Sequence, residues 1–548
     1  TAASHNQDDR RALALLRGAL AEVDEKTDPV AAGELHVECV VCFAKLGDRQ
    51  ARDRAIDEAL RLVPVEPATA SRAKLLRGMA WRAWSVAQYA EAREIGEEAL
   101  RVARLAGSRN EEGEALGPLV FASTFAGDIE AGLGYARQRR DLGESDGDPV
   151  GIAAGWLLVG FVLQADRRFA DATNVFQEGA AFASAHGLER SWGSELEGWA
   201  AEALRRLGRW AESEALGRRV LERGRSTAAQ AHELLALLLA GTGKLEEAEW
   251  HARAVWQACE GHLSFSQNLR YYPAVAEIAL WRREFDHARS AVENGLELFA
   301  GSEDVRWVGE LAVRGLRAEA DLAEIARAER SPERLADARE HAASIMERLM
   351  NVARRVDEIG SVFAGESAAP VLLSRAELSR LEGASDPALW DMAAVAWLDI
   401  FQPYQAAYAR YRQAEALLAA KAPRQDAAAV LREARETASR LGAAPLLAEI
   451  DALARRARLF IDTLATADVP EPGARDDDPF TAYGLTRRER EVLGLLVDGS
   501  SDRQIANALF ISDKTASVHV SNIKGKLGVS TRLEAATLAN RLRAVEVR

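Results

Sequence analysis

A cluster of positions between residues 514 and 525 combines side chains that can read nucleic acid. At about 100° per helical residue, Lys514, Ser517, Val518, Ser521 and Gly525 share one arc, with Asn522 and Lys524 on its flanks. The arc is small, polar and basic, with one apolar member and no acid. Ammonium groups meet phosphate or guanine, hydroxyls and amides meet base edges, and a methyl pair touches thymine, the contact assigned here to Val518. Gly525 costs roughly 1 kcal/mol against Ala inside a helix, so either a DNA backbone approaches closely there or the cost is simply tolerated. His519 lies at the edge of the opposite arc, as a packing or phosphate-bonding residue rather than a metal ligand or general base.

Four short helices must position this arc. Ser/Thr and Glu/Gln pairs spaced as capping boxes open three of them: Thr486 with Glu489, Ser501 with Gln504, and Thr531 with Glu534. Gly499 and Gly528 sit where a left-handed residue closes a helix. The predicted helices cover 487–498, 502–509, 513–527 and 531–543, and the turn Phe510, Ile511, Ser512 has the length of a helix-turn-helix. Ala516, Val520, Ile523 and Leu527 form the apolar stripe of the third helix, to be packed on Leu493, Leu496, Ile505 and Leu509.

Through Leu485, Thr486, Arg488, Glu489, Val492, Leu493, Gly499, Ile505, Ala506, Leu509, Ser512, Lys514, Thr515, Val518, His519, Asn522, Ile523, Lys526, Leu527 and Gly528, residues 485–542 resemble the LuxR-type (GerE-like) DNA-binding domain of bacterial transcription regulators. The resemblance implies double-stranded DNA as partner. Lys514, Thr515, Ser517, Val518, Ser521 and Asn522 would then contact DNA, with Lys524 and Lys526 toward phosphates. It also implies that Leu533, Ala536 and Leu542 of the fourth helix help pair two domains, and that RNA polymerase is a further partner. Many relatives carry Val where this chain has Ala516 and a larger residue at Gly525, departures that leave the fold secure and the target sequence open.

Charge is divided along the chain. From Gly484 onward there are 11 Lys/Arg against 7 Asp/Glu, a balance of +4 in a chain of net charge −14, so residues 1–483 carry −18. Phosphate contacts therefore belong to the C-terminal module, while the acidic body repels DNA. An acidic body could also mask the basic module, although an acidic surface serves solubility as well. At 548 residues and 48% apolar content, the chain exceeds a single domain. No apolar run reaches the roughly 18 residues of a membrane helix, and no secretory leader precedes the first predicted helix. The 3 Cys fit a reducing cytoplasm, the expected location. Cys39 and Cys42 form a CxxC with His36 close by, but no second pair completes four zinc ligands, so both thiols are read as helix core.

Residues 1 to about 465 repeat a turn holding Gly or Arg, then a bulky residue, an acid and a small residue opening a helix. The small residues are Ala92, Ala131, Ala172, Ser213, Ala248 and Ala288, spaced by 39, 41, 41, 35 and 40. Tyr89, Ile129, Phe169, Trp210, Leu245 and Phe285 take the bulky position and should wedge between hairpins. Two helices per 40 residues make an all-α, TPR-like α-solenoid. Residues 55–60 and 427–441 belong to weaker units, and the phase is indistinct from about 300 to 400. All 12 Trp lie in this region; the pairs Trp81/Trp84 and Trp192/Trp199 each share a helical face, as a stacking surface for a flat ligand or, more simply, as core.

Residues 466–484 hold Pro470, Pro472, Gly473, Asp476 to Asp478 and Pro479 and read as a flexible linker. The solenoid with this C-terminus resembles the large ATP-binding, MalT-like subclass of LuxR regulators, most closely from Pro403 and Tyr408 through Leu441, Gly442 and Pro445 to Arg458. Such relatives carry an upstream nucleotide-binding domain. No P-loop occurs here: in Gly241 to Lys244 the first glycine is missing and Leu245 replaces the magnesium-binding hydroxyl, so this is an inter-helix turn and no cofactor is expected. The absence of an initiator Met and a start inside a repeat point to the C-terminal part of a larger regulator. No nucleophile elbow, H-E-x-x-H or phosphate loop suggests catalysis. The reading is a homo-oligomeric regulator, an activator, in which 1–465 sense an effector or partner protein and 485–548 read DNA. The alternative is a TPR-like interaction scaffold whose C-terminal helices mainly dimerise it.

Overall fold

In the computed structural model, residues 2–46, 48–85, 88–223, 228–259, 270–299, 305–459, 461, 487–497, 499–509, 513–527, 529 and 531–545 are described. The chain divides into two units, Thr1–Ile461 and Asp462–Arg548, and every regular element among the described residues is helical. The segment 466–484, predicted as a linker, lies outside the described residues. No helix among them is long and apolar enough to cross a membrane.

The repeat signature marks the joint of each helical hairpin. The bulky residues Tyr89, Ile129, Phe169, Trp210, Leu245 and Phe285 are the first residues of helices Tyr89–Leu105, Ile129–Asp146, Phe169–Ala185, Trp210–Arg223, Leu245–Ala258 and Phe285–Leu298. In the described turns before Ile129, Phe169, Trp210, Leu245 and Phe285, the residue two places ahead is left-handed. Gly208 lies in that region at φ 75°, whereas Arg167 and Arg283 adopt φ 60° and 61° despite their Cβ atoms, which is why the signature tolerates Gly or Arg.

The wedge is visible in the contacts. The Tyr89 ring lies 5.5 Å from Phe125 of the next hairpin, the Arg206 guanidinium sits 4.8 Å over Phe169, and a Cβ on Gly241 would come 2.8 Å from Trp210. Ile129 and Leu245 are only half-buried, so two of the six wedges are partial. The small position is required because the partner helix approaches closely: Ala92, Ala172, Ser213, Ala248 and Ala288 are fully buried. In the second repeat this place is taken by Gly132, not by Ala131, which is half-buried. A Cβ at Gly132 would lie 2.5 Å from Thr124 Oγ1, and the corrected spacings become 40, 40, 41, 35 and 40.

The indistinct middle of the repeat has a structural cause. Helices Val305–Glu329 and Pro332–Glu358 run 25 and 27 residues, too long for the 40-residue unit. After them, Val362–Glu366 and helices Ala368–Leu381, Pro387–Asp399, Pro403–Ala419, Arg424–Leu441 and Ala444–Ala457 return to the joints of earlier hairpins. Phe363 meets Phe125 at 4.9 Å, Phe401 meets Phe169 at 5.3 Å and Tyr404 meets Trp210 at 5.4 Å. Arg206 donates to Glu366 at 3.1 Å and to the Ile400 carbonyl at 2.9 Å.

Where the early and late helices meet, the core is charged. Glu277, 3% exposed, pairs with Arg314 at 2.9 Å and accepts from Tyr404 and Trp281 at 2.8 and 2.7 Å; Arg314 also bonds Glu310. Glu377 pairs with Arg380, which reaches Asp321 at 2.7 Å. Burial alone would push the Glu202 carboxyl up, but Arg205 and Arg270 overcome this and hold it at about 2.

Other expectations find their places. Trp81 and Trp84 meet edge-on at 5.5 Å and pack on Phe121, and Trp192 and Trp199 lie half-buried against an apolar core. Cys39 and Cys42 are buried beside Val40 and Phe43, and burial pushes the Cys39 thiol to about 11. Gly243 turns the chain at φ 85° between two helices, and Lys244 beside it bonds Glu214 at 2.9 Å, as an inter-helix turn rather than a phosphate loop.

Candidate nucleic-acid interface

The C-terminal unit consists of helices Arg487–Val497, Asp502–Leu509, Asp513–Leu527 and Arg532–Val545. Local chemistry sets their ends. Ser501 and Gln504 exchange bonds, the Ser501 amide donating to Gln504 Oε1 at 2.8 Å and the Gln504 amide to Ser501 Oγ at 3.4 Å. Thr531 and Glu534 repeat this at 3.3 and 3.2 Å. The first helix closes at Gly499, φ 78°, where the Gly499 and Ser500 amides donate back to Leu496 and Leu495 carbonyls, each at 3.0 Å. Thr486, Phe510, Ile511, Ser512 and Gly528 lie outside the described residues.

One apolar core holds the helices together. Val492, Leu493 and Leu496 of the first, Ile505 and Ala506 of the second, Ala516, Val520, Ile523 and Leu527 of the third, and Ala535 and Ala539 of the fourth are all buried. Burying the third helix on its 516/520/523/527 stripe turns the other face outward. Ser517 and Ser521 are exposed on that face, and Lys524 and His519 are half-buried at its margins. The side chains of Lys514, Thr515, Val518 and Asn522, like that of Leu509, fall outside the described residues, although all five belong to described helices.

Lys526 departs from the role that resemblance implied, and Arg532 takes a role the sequence did not signal. Lys526, nine residues after Ser517, is turned to the opposite side of the helix and donates to Glu489 of the first helix at 2.7 Å. Glu489 is 4% exposed, so this ammonium neutralises a buried carboxylate within the unit rather than facing phosphates. The spacing of 37 residues between them carries no local signal, and only the family pattern names both. Arg532, unremarked in the sequence, joins the fourth helix to the start of the second: it donates to the Ser500 carbonyl at 2.7 Å and pairs with Asp502 at 3.2 Å. On the fourth helix, Leu533 is 73% exposed and Ala536 half-buried, and the side chain of Leu542 is outside the described residues.

Residues 484–539 match the family described as bacterial regulatory proteins, luxR family. The spore germination protein GerE of Bacillus subtilis (strain 168) is 46% identical over 63 residues, 12% of this chain but 85% of GerE. The chain belongs to the LuxR family. YhcZ of the same organism, an uncharacterized transcriptional regulatory protein, is 43% identical over 81 residues, 14% of this chain and 38% of YhcZ. The HTH-type transcriptional regulator MalT of Yersinia pestis (strain Pestoides F) is 41% identical over 85 residues, 15% of this chain and 9% of MalT. The chain thus spans well under half the length of these two larger relatives. The LuxR-type unit is a DNA-binding helix-turn-helix.

Proposed function

We propose that this chain is a transcription regulator, an activator, whose third C-terminal helix reads the major groove and whose helical-repeat unit controls that reading. One observation carries the proposal: packing the 516/520/523/527 stripe leaves Ser517 and Ser521 exposed on a helix with no acidic residue after Asp513. Lys514, Thr515, Ser517, Val518, Ser521 and Asn522 take the groove contacts, with Lys524 and the half-buried His519 toward the backbone. Lys526 serves the fold through Glu489.

Paired modules read half-sites about 34 Å apart, one helical turn of DNA, and exposed Leu533 with Ala536 and Leu542 supplies the pairing surface. Residues 1–465 sense an effector or partner protein, 466–484 tether the reader, and RNA polymerase is contacted at the promoter. An effector that prefers the DNA-competent form raises its population. The test is selection of the purified chain on a random duplex library at two salt concentrations. Enrichment of a two-fold symmetric motif with a steep salt slope supports the reading. Failure of both the whole chain and residues 480–548 to enrich any sequence removes it.

A further inference from the structure

The repeat unit carries an aromatic row that its core packing leaves half-buried. Trp81, Phe121, Phe161 and Trp199 stand on the first helices of four successive hairpins, 40, 40 and 38 residues apart. Their neighbouring ring centroids are 5.2, 4.3 and 6.1 Å apart, so the four form one continuous surface. All four are half-buried, unlike the repeat's small-position residues, which are sealed.

At the end of this row stands a carboxylate without a counter-charge. Glu195 lies one turn before Trp199, and its Oε1 accepts the indole N–H at 3.1 Å. Among the described residues no Arg, Lys or His pairs with it. The unit treats its other enclosed carboxylates differently: Glu202 has Arg205 and Arg270, Glu277 has Arg314, and Glu377 has Arg380. Burial raises the Glu195 carboxyl above its ordinary range, the expected response of a partly desolvated acid lacking a cation. The half-buried rings of Phe161 and Trp199 beside it add π surface of the same electrostatic preference.

We infer that this face binds a cationic organic group, an alkylammonium or guanidinium, whose charge meets Glu195 and whose body lies on the rings of Phe161 and Trp199. The occupant supplies the counter-charge that the chain provides at every comparable carboxylate named above, and its apolar portion covers the half-buried rings. Binding at this face stands apart from DNA reading, so its test contains no DNA.

The probe is choline, titrated into the whole chain by calorimetry, with 3,3-dimethylbutan-1-ol as the uncharged isostere. Saturable choline binding is expected, with no comparable binding of the isostere. In Glu195→Gln the amide oxygen still accepts from Trp199, so the melting temperature should hold while choline affinity falls at least about ten-fold. Phe161→Leu, which keeps the volume apolar but removes a ring, should weaken choline as well. Equal binding of the isostere, unchanged affinity in a folded Glu195→Gln, or no saturable choline binding would each overturn the inference.

Discussion

Lys526 Nζ lies 2.7 Å from Glu489 Oε2, joining the last turn of the third C-terminal helix to the first helix through a carboxylate that is almost fully enclosed. Lys526→Ala removes a cation from a buried carboxylate and should destabilise the C-terminal unit by about 1–3 kcal/mol. Lys524→Ala should leave stability unchanged and reduce the slope of log affinity against log salt by about 1. Denaturation and salt-dependent DNA titration of the two variants separate the roles; a Lys526→Ala protein of normal stability and reduced salt slope would return Lys526 to the phosphates.

Ser521 is exposed opposite the core stripe, so a carboxylate there meets the groove and not the protein interior. Ser521→Glu should keep the melting temperature and lower DNA affinity by at least about ten-fold, because a carboxylate facing phosphates adds repulsion where the hydroxyl could donate. Unaltered affinity in a gel-shift titration would move the reading face elsewhere on the helix.

His232 and His251 face each other across helices Ala228–Thr242 and Leu245–Ala258 with their Nδ1 atoms 2.7 Å apart. Burial lowers both, His251 to about 4, where His232 and Arg218 lower it further and Glu247 and Glu214 oppose. The unfolded chain takes up these protons near pH 6.5 while the folded chain resists them, so the contribution is full above about 6.5 and is lost as pH falls toward about 4. At pH 5 the His251 loss is on the order of 2 kcal/mol. Denaturant midpoints at about pH 7.5 and about pH 5 should differ less in His251→Asn than in the parent chain; an equal difference would assign the acid sensitivity to other groups.

Glu277 binds Arg314, Tyr404 and Trp281, groups drawn from three separate helices. Glu277→Ala leaves the enclosed Arg314 guanidinium with Glu310 as its remaining carboxylate and takes a buried partner from Tyr404 and Trp281, and should cost about 3 kcal/mol. Pairing it with Arg314→Met should recover part of that loss, read by the denaturation midpoint. A double variant no better than the single would mean that Tyr404 and Trp281, not the ion pair, carry the cost.

The hairpin joints and the helix-turn-helix were legible because short-range rules govern them. The Ser501–Gln504 and Thr531–Glu534 boxes and the stripe from Ala516 to Leu527 are set within a few residues, and the structure forms them as the spacing predicts. Ala131 in place of Gly132 shows the limit of pattern reading: both residues are small, and only the Thr124 side chain across the hairpin distinguishes them. The Glu277–Arg314–Tyr404 cluster had no periodic signature, since its members belong to helices with unrelated phases. Lys526 was assigned by family resemblance to phosphates because its partner lies 37 residues away.

Arg206, bonded to Glu366 and to the Ile400 carbonyl, has a consequence for how this unit loses its structure. Stacked repeats that touch only their neighbours can fray one at a time from either end. Here bonds spanning 160 and 194 residues tie an early hairpin to late helices, raising the contact order and making removal of the C-terminal stretch a loss felt in the middle of the array. The unit should therefore melt in one cooperative step, and a version shortened after Glu358 should unfold as far back as the hairpin of Arg206.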